Sequence, residues 1–323
     1  MEIMDGYDPA SLLKAATTLR EGELVVFPTE TVYGLGADAF NPIAVAKIFE
    51  LKKRPHFDPL IVHIAHMQSV EKLVLNVPAQ ARRLMERFWP GPLTIIMEKQ
   101  GMVPDIVTAG LKTVGVRMPS HPVALALIKA LGRPVAAPSA NPFGYMSPTK
   151  AGHVARMFAD RVPLILDGGP STHGIESTVV SVRGDTVYVH RYGAVPLEEI
   201  ERVVGDLQEK EKGSICEAPG ELPYHYAPHA RLVIIRSQED IRTSESGFLA
   251  FKNPEREPLS KHVRVLSAEG DLREAAAHFF SHLIELDQEG VNVIYAERVP
   301  EIGLGRAIME RLRKAAQKHT ARA

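Results

Sequence analysis

"VVFPTETVYGLGADAF", residues 25–40, begins as an apolar strand and then changes character. Val25, Val26 and Phe27 run into Pro28, Thr29, Glu30 and Thr31, and glycines follow at positions 34 and 36. Proline has no N–H to give a strand ladder, so pairing ends at Pro28 and the chain turns outward. Ligand sites of open α/β sheets lie beyond such strand ends. The punctuation recurs: Phe27-Pro28-Thr29, Met118-Pro119-Ser120 and Ala137-Pro138-Ser139 each set a proline and a hydroxyl after an apolar run. Such turns are common singly. Together, and beside clustered cations, they point to a shared pocket.

Residues 34–39, GLGADA, fit the loose dinucleotide pattern G-x-G-x-x-G/A. That pattern needs its glycines to bridge strand and helix directly, with the pyrophosphate on the helix N-terminus. Here six residues part Phe27 from Gly34 and a helix begins only at Asn41-Pro42, so no NAD site is expected. The chain contains no Gly-Lys pair, which excludes a Walker A loop.

Outward from this stretch, strands and helices alternate through the first two hundred residues, as in α/β or mixed α+β proteins. The sequence predicts a helix over 41–55, with Asn41 as N-cap and Pro42 at its first position. It predicts strands over 23–28, 59–65, 93–99, 113–119 and 133–138, helices over 79–92 and 121–132, and a hairpin over 177–193 turning at Gly184-Asp185. Residues 205–228 show no sustained period and concentrate charge, Gly and Pro, which reads as a linker. A second α/β unit follows, with strands over 231–237 and 291–297, a helix over 271–286, and a final helix carrying Leu304, Ile308 and Leu312 on one face.

At 323 residues two domains are expected; 45% apolar and 24% charged residues with a net charge of −1 describe an ordinary globular chain. No global field points to nucleic acid or a membrane, so an anion site must come from local clustering. The N-terminal residues resemble no signal peptide and no apolar run would span a bilayer, so a cytoplasmic protein is expected. Cys216 is the only cysteine, which excludes an intrachain disulfide and a Cys-rich zinc site, and it reads as a bystander thiol.

Lys47, Lys52, Lys53 and Arg54 crowd four cations into eight residues. They suit a helix C-terminus, but Arg117 and Arg191 also stand at strand ends, and arginine forks match phosphate and carboxylate oxygens. His63, in an apolar strand, reads first as a core residue with a satisfied ring. With no G-x-S-x-G elbow, a hydroxyl-lined, arginine-rimmed pocket suits phosphoryl chemistry, which relies on positioning and charge. Pocket cations that repel one another would cost stability, so replacing Arg54 or Arg117 is expected to spare the fold.

"FPTETVYGLGADA", "KKRP" followed by "PLIVHI", "PGPLTI", "GVRMP", "PSAN" and "GIESTVV" stand in this order and resemble the threonylcarbamoyl-AMP synthases, of YrdC-like fold. "HYAP" and "GLGRAIMERLRKAA" resemble the two-domain members. The resemblance implies a twisted mixed sheet with flanking helices and a strand-end cavity (1–204), a linker or lid (205–229), and a smaller Rossmann-like α/β domain (230–323). It implies condensation of L-threonine, bicarbonate and ATP into threonylcarbamoyl-AMP and pyrophosphate, Mg2+ accompanying ATP, and a tRNA threonylcarbamoyl transferase downstream; tRNA itself is met weakly or indirectly. By motif, Thr31, His63, Arg117 and Ser177 would contact threonine. Lys52 and Arg54 would act catalytically on the phosphates, with Asp58, Thr113, Ser139, Asn141, Ser147, Arg191 and Tyr226 as further ATP contacts. Two alternatives stand beside this. A carbamoyl-adenylate-forming carbamoyltransferase would carry Cys-rich zinc modules, and an RNA-binding module would carry a basic surface; one cysteine and a charge of −1 argue against each.

Overall fold

Short apolar runs that stop on proline or glycine bury their faces by pairing side by side. The computed structural model describes residues 1–210, 216–221 and 225–320. Among these, two sheets form. The larger contains β1 (Glu2–Asp5), β2 (Val25–Phe27), β3 (Gly34–Asp38), β4 (Ile61–His63), β5 (Leu93–Glu98) and β6 (Thr113–Arg117). It also contains β7 (Val135–Ala136), β8 (Leu164–Asp167), β9 (Thr178–Arg183), β10 (Thr186–Arg191) and β11 (Leu207–Glu209). Their spatial order is β1-β8-β2-β3-β7-β4-β6-β5-β9-β10-β11, with parallel and antiparallel pairs mixed. The smaller sheet, β12 (Arg231–Ile235), β13 (Gly247–Ala250), β14 (His262–Val265) and β15 (Val293–Glu297), is parallel in the order β12-β15-β13-β14.

The helices are α1 (Pro9–Arg20), α2 (Pro42–Lys52), α3 (Ala79–Phe88), α4 (Asp105–Thr108) and α5 (Pro122–Leu131), then α6 (Ala151–Phe158), α7 (Leu197–Val204), α8 (Leu272–Gln288) and α9 (Leu304–Thr320). α2 starts as its sequence requires: the Asn41 side chain accepts from the N–H groups of Ile43 and Ala44, with Pro42 at the first position. α5 ends on Gly132 at φ 74°, the left-handed conformation that suits glycine.

Two differences from the sequence reading stand out. Gly34 and Gly36 lie inside a strand, β3, which pairs antiparallel with β2. A Cβ at Gly36 would come within 2.8 Å of both Phe27 and Val135, so the glycine serves close packing and cradles no phosphate. The expected linker begins as a strand, because β11 adds in parallel to β10. Its residues 211–215 and 222–224 lie outside the described ones.

One core lies on the α2–α3 face of the large sheet, among Ile48, Leu84, Val62 and Val116. A second packs Leu19 of α1 and Leu127 of α5 against Val25 and Phe27. A third gathers Phe279 and Phe280 of α8 and Ile308 and Leu312 of α9, and it also includes Val32, Met146 and Ile175. The smaller unit therefore shares buried apolar surface with the loops around the large sheet's strand ends.

Candidate active site

The turn after β2 answers why a strand stops on proline. The Thr29 hydroxyl donates to the Val32 carbonyl at 2.6 Å and accepts from the N–H groups of Thr31 and Val32, each at 3.2 Å. Thr31 Oγ1 lies 2.8 Å from Thr29 Oγ1, so the hydroxyls are fixed at the strand end. β4 runs parallel to β6 with His63 opposite Arg117, and an isolated bridge joins Gly34 to Ser139. Farther along the sheet, a register shift between Val189 and Arg191 coincides with the turn of Arg191 toward Ser177. The guanidinium donates there to the Ser177 carbonyl at 2.8 Å, to Ser177 Oγ at 3.0 Å and to the Pro219 carbonyl at 2.9 Å.

Thr31, Arg54, His63, Arg117, Ser139, Ser177, Arg191 and Tyr226 all line one hollow. Its free volume is about 50 Å³, against roughly 300–1,000 Å³ for ordinary ligand pockets. Pro219, Gly220, His225 and Tyr226, from the segment between the two sheets, fill part of the space.

The remaining expected residues stand behind or away from this lining. Lys52, buried beneath it, donates through Nζ to the carbonyls of Ser139 (2.7 Å) and Asn141. Burial, with Arg54 nearby, pushes its ammonium well below the usual lysine range. Asp58 lies 2.8 Å from the Arg54 guanidinium. Asn141 donates to the carbonyls of Pro142 and Tyr145, and Ser147 donates to Glu176. Thr113 is at the far end of β6 from Arg117, four residues or about 13 Å along an extended strand. That separation keeps it off the lining.

Charges meet in buried pairs. Arg117 and Glu30 are 2.8 Å apart, and Glu176 lies 2.7 Å from Arg311 of α9. Burial alone would raise Glu30, but the Arg117 charge overturns it and holds the carboxyl below its ordinary value. Burial raises Asp58, opposed by Arg54 and Lys52. His63 is pushed down to about 3 by burial and then by Arg117, so it is neutral at physiological pH. His63 Nδ1 and the Tyr226 hydroxyl are buried without a hydrogen-bond partner among the described residues. Such open valences on the wall of a hollow suit a polar ligand. Burial pushes the Cys216 thiol up to about 12, which disfavours its nucleophilic thiolate form.

The sequence reading gave Glu30, Glu176, His225 and Arg311 no role in the site. Glu30 and Glu176 stood in quoted motifs, but an anion pocket gave no reason to expect carboxylates. Arg311 had a visible signal: it falls seven residues after Leu304, on the apolar face of its helix.

Residues 17–193 match a family model described as telomere recombination, the Sua5/YciO/YrdC family. Residues 195–317 match one described as threonylcarbamoyl-AMP synthase, C-terminal domain. A threonylcarbamoyl-AMP synthase of Pyrococcus abyssi is 44% identical over 93% of this chain and 92% of its own. One of Bacillus subtilis is 44% identical over 96% and 93%. The crystal structure of P. abyssi Sua5 complexed with L-threonine superposes with a TM-score of 0.91 at 40% identity, covering 98% of both chains. Fold and matches define a YrdC-like α/β enzyme extended by a C-terminal α/β domain. The chain belongs to the threonylcarbamoyl-AMP synthase family.

Proposed function

We propose that this chain condenses L-threonine, bicarbonate and ATP to threonylcarbamoyl-AMP and pyrophosphate, the first step of threonylcarbamoyladenosine formation in tRNA. The observation that carries it is the meeting of Arg54, Arg117 and Arg191, from distant parts of the chain, around one hydroxyl-lined hollow. The threonine nitrogen takes up the bicarbonate carbon with loss of water, giving a carbamate. A carbamate oxygen then attacks the α-phosphorus, the bond to the β-phosphate oxygen breaks, and pyrophosphate leaves. Negative charge persists on both sides of this displacement, so the protein's part is to position and neutralise.

On this reading Thr31, His63, Arg117 and Ser177 hold threonine, its carboxylate on Arg117, while Arg54, Arg191, Ser139 and Tyr226 face the nucleotide. Lys52, Asp58, Asn141 and Ser147 act from behind, Lys52 by clamping the backbone on either side of Ala140. Thr113, away from this lining, is retained as a further ATP contact on the family motif alone. Magnesium would arrive on the triphosphate: the lining is arginine and hydroxyl, and no group of three or more His, Cys, Asp or Glu that could hold a metal occurs among the described residues. A tRNA threonylcarbamoyl transferase would take the product, a mixed anhydride with an activated carbonyl, with tRNA met at most weakly by this chain. Among the described residues no helix is long and apolar enough to cross a membrane; we place the reaction in the cytoplasm.

The test is pyrophosphate release from ATP, bicarbonate and magnesium. It should depend on threonine; equal release without threonine overturns the assignment.

A further inference from the structure

For a pocket that takes a triphosphate, Glu176 is out of place. Its side chain is buried on the wall of the hollow, where a bare carboxylate would repel an anionic ligand. What neutralises it comes from the other domain. Arg311, fully buried on α9, donates from Nε to Glu176 Oε2 at 2.7 Å, while Ser147 donates to Oε1. Arg311 Nη1 donates to the carbonyls of Tyr192 (3.1 Å) and Ala307 (2.9 Å), and its guanidinium carbon lies 5.2 Å from the centroid of the Tyr226 ring. Ile308 and Leu312, beside it on the helix, are buried and apolar, and within its own domain the Glu310 carboxylate lies farther off, 3.8 Å from Nη1.

The other cation acting on Glu176 is Arg191 of β10, and His225 and Tyr226 are also in its electrostatic surroundings. Burial alone would raise the Glu176 carboxyl, but Arg311 first and Arg191 second hold it below the ordinary range. Arg191, relieved of pairing, donates to uncharged oxygens of Ser177 and Pro219.

We propose that Arg311 is a positioning residue of the active site: it occupies and neutralises Glu176 from the C-terminal domain, so that Arg191 keeps its charge for an anionic ligand. This rests on ATP being that ligand. The smaller domain thereby sets the charge of a cavity whose walls belong mainly to the larger one.

ATP and threonine binding to the full-length protein, each measured by calorimetry, separate the possibilities. Arg311→Met is expected to weaken ATP binding by about tenfold or more, because a buried carboxylate loses its partner. Threonine binding should change far less, since Arg117 and Glu30 keep their pairing. Glu176→Gln added to Arg311→Met should restore most of the ATP affinity. Arg311→Lys keeps a cation and should stay within about threefold of the parent. If Arg311→Met binds ATP as the parent does, or the double variant is no better than Arg311→Met, the proposal fails. Should Arg311→Met not fold, a tenfold loss in Arg311→Lys that Glu176→Gln does not relieve overturns it equally. A parent protein that binds no ATP would instead sink the proposed reaction.

Discussion

Arg54 and Arg117 show how a side chain can serve ligand and fold together. Each has a buried carboxylate 2.8 Å away, Asp58 and Glu30 respectively. The expectation that their loss would spare the fold is therefore corrected, since removing one partner strands a charge in the interior. Arg54→Ala or Arg117→Ala should abolish threonine-dependent pyrophosphate release and destabilise the protein by about 3–5 kcal/mol. Denaturant unfolding beside the activity assay checks both parts. The depressed histidines shape the acid behaviour; burial also lowers His153 and His282 to about 4. His63 and His225, ordinarily near 6.5, are both pushed down to about 3, by burial foremost. At pH 5 the unfolded chain binds protons there and the folded chain does not, so unfolding takes up protons and stability falls as pH falls below about 6.5. Glu30 and Glu176 add their own loss only below their unfolded value near 4.5. The melting temperature should decline between pH 6.5 and 5, and His225→Gln should flatten that decline; an unchanged slope would count against the assignment.

At the scale of elements, what the sequence disclosed depended on how local the cause was. The start of α2 was legible because Asn41 and Pro42 act within one turn, and the β9–β10 hairpin because its turn sits at Gly184-Asp185. β3 was missed because its two glycines leave it no strand period; the Phe27 and Val135 side chains across the sheet explain them. β11 was missed because a three-residue strand, Leu207–Glu209, has no period of its own and exists through β10. The candidate site followed the same rule. Strand-end hydroxyls and arginines were readable as types, and so was Asp58, four residues from Arg54; the pairings of Glu30 with Arg117 and of Glu176 with Arg311 came from tertiary approach. Gly193, just beyond β10, tests that approach. A Cβ there would lie 2.3 Å from backbone atoms of Ser177 and Thr178. Gly193→Ala should cost about 1–3 kcal/mol or more and weaken threonine binding, because the backbone carrying Ser177 must move. Chemical denaturation and a threonine titration measure the two effects.

Across the whole molecule, the smaller domain and the loops at the large sheet's strand ends bury a common apolar cluster. Val32 and Ile175, which flank the hollow's walls, pack in the same cluster as Phe280 and Leu312. A chain shortened to residue 205 should therefore expose this apolar surface, lose solubility and release pyrophosphate far more slowly than the full chain. Full activity in the shortened protein would show that the C-terminal domain is dispensable to the chemistry. A hollow this crowded will also treat chemical probes unequally. A small fragment that fits among the lining side chains buries few atoms, and even the best small ligands gain at most about 1.5 kcal/mol per heavy atom. A larger inhibitor that had to push aside lining side chains such as Tyr226 would associate more slowly than with an open pocket. Onset time, more than potency at equilibrium, is the property by which inhibitors of this protein should be ranked.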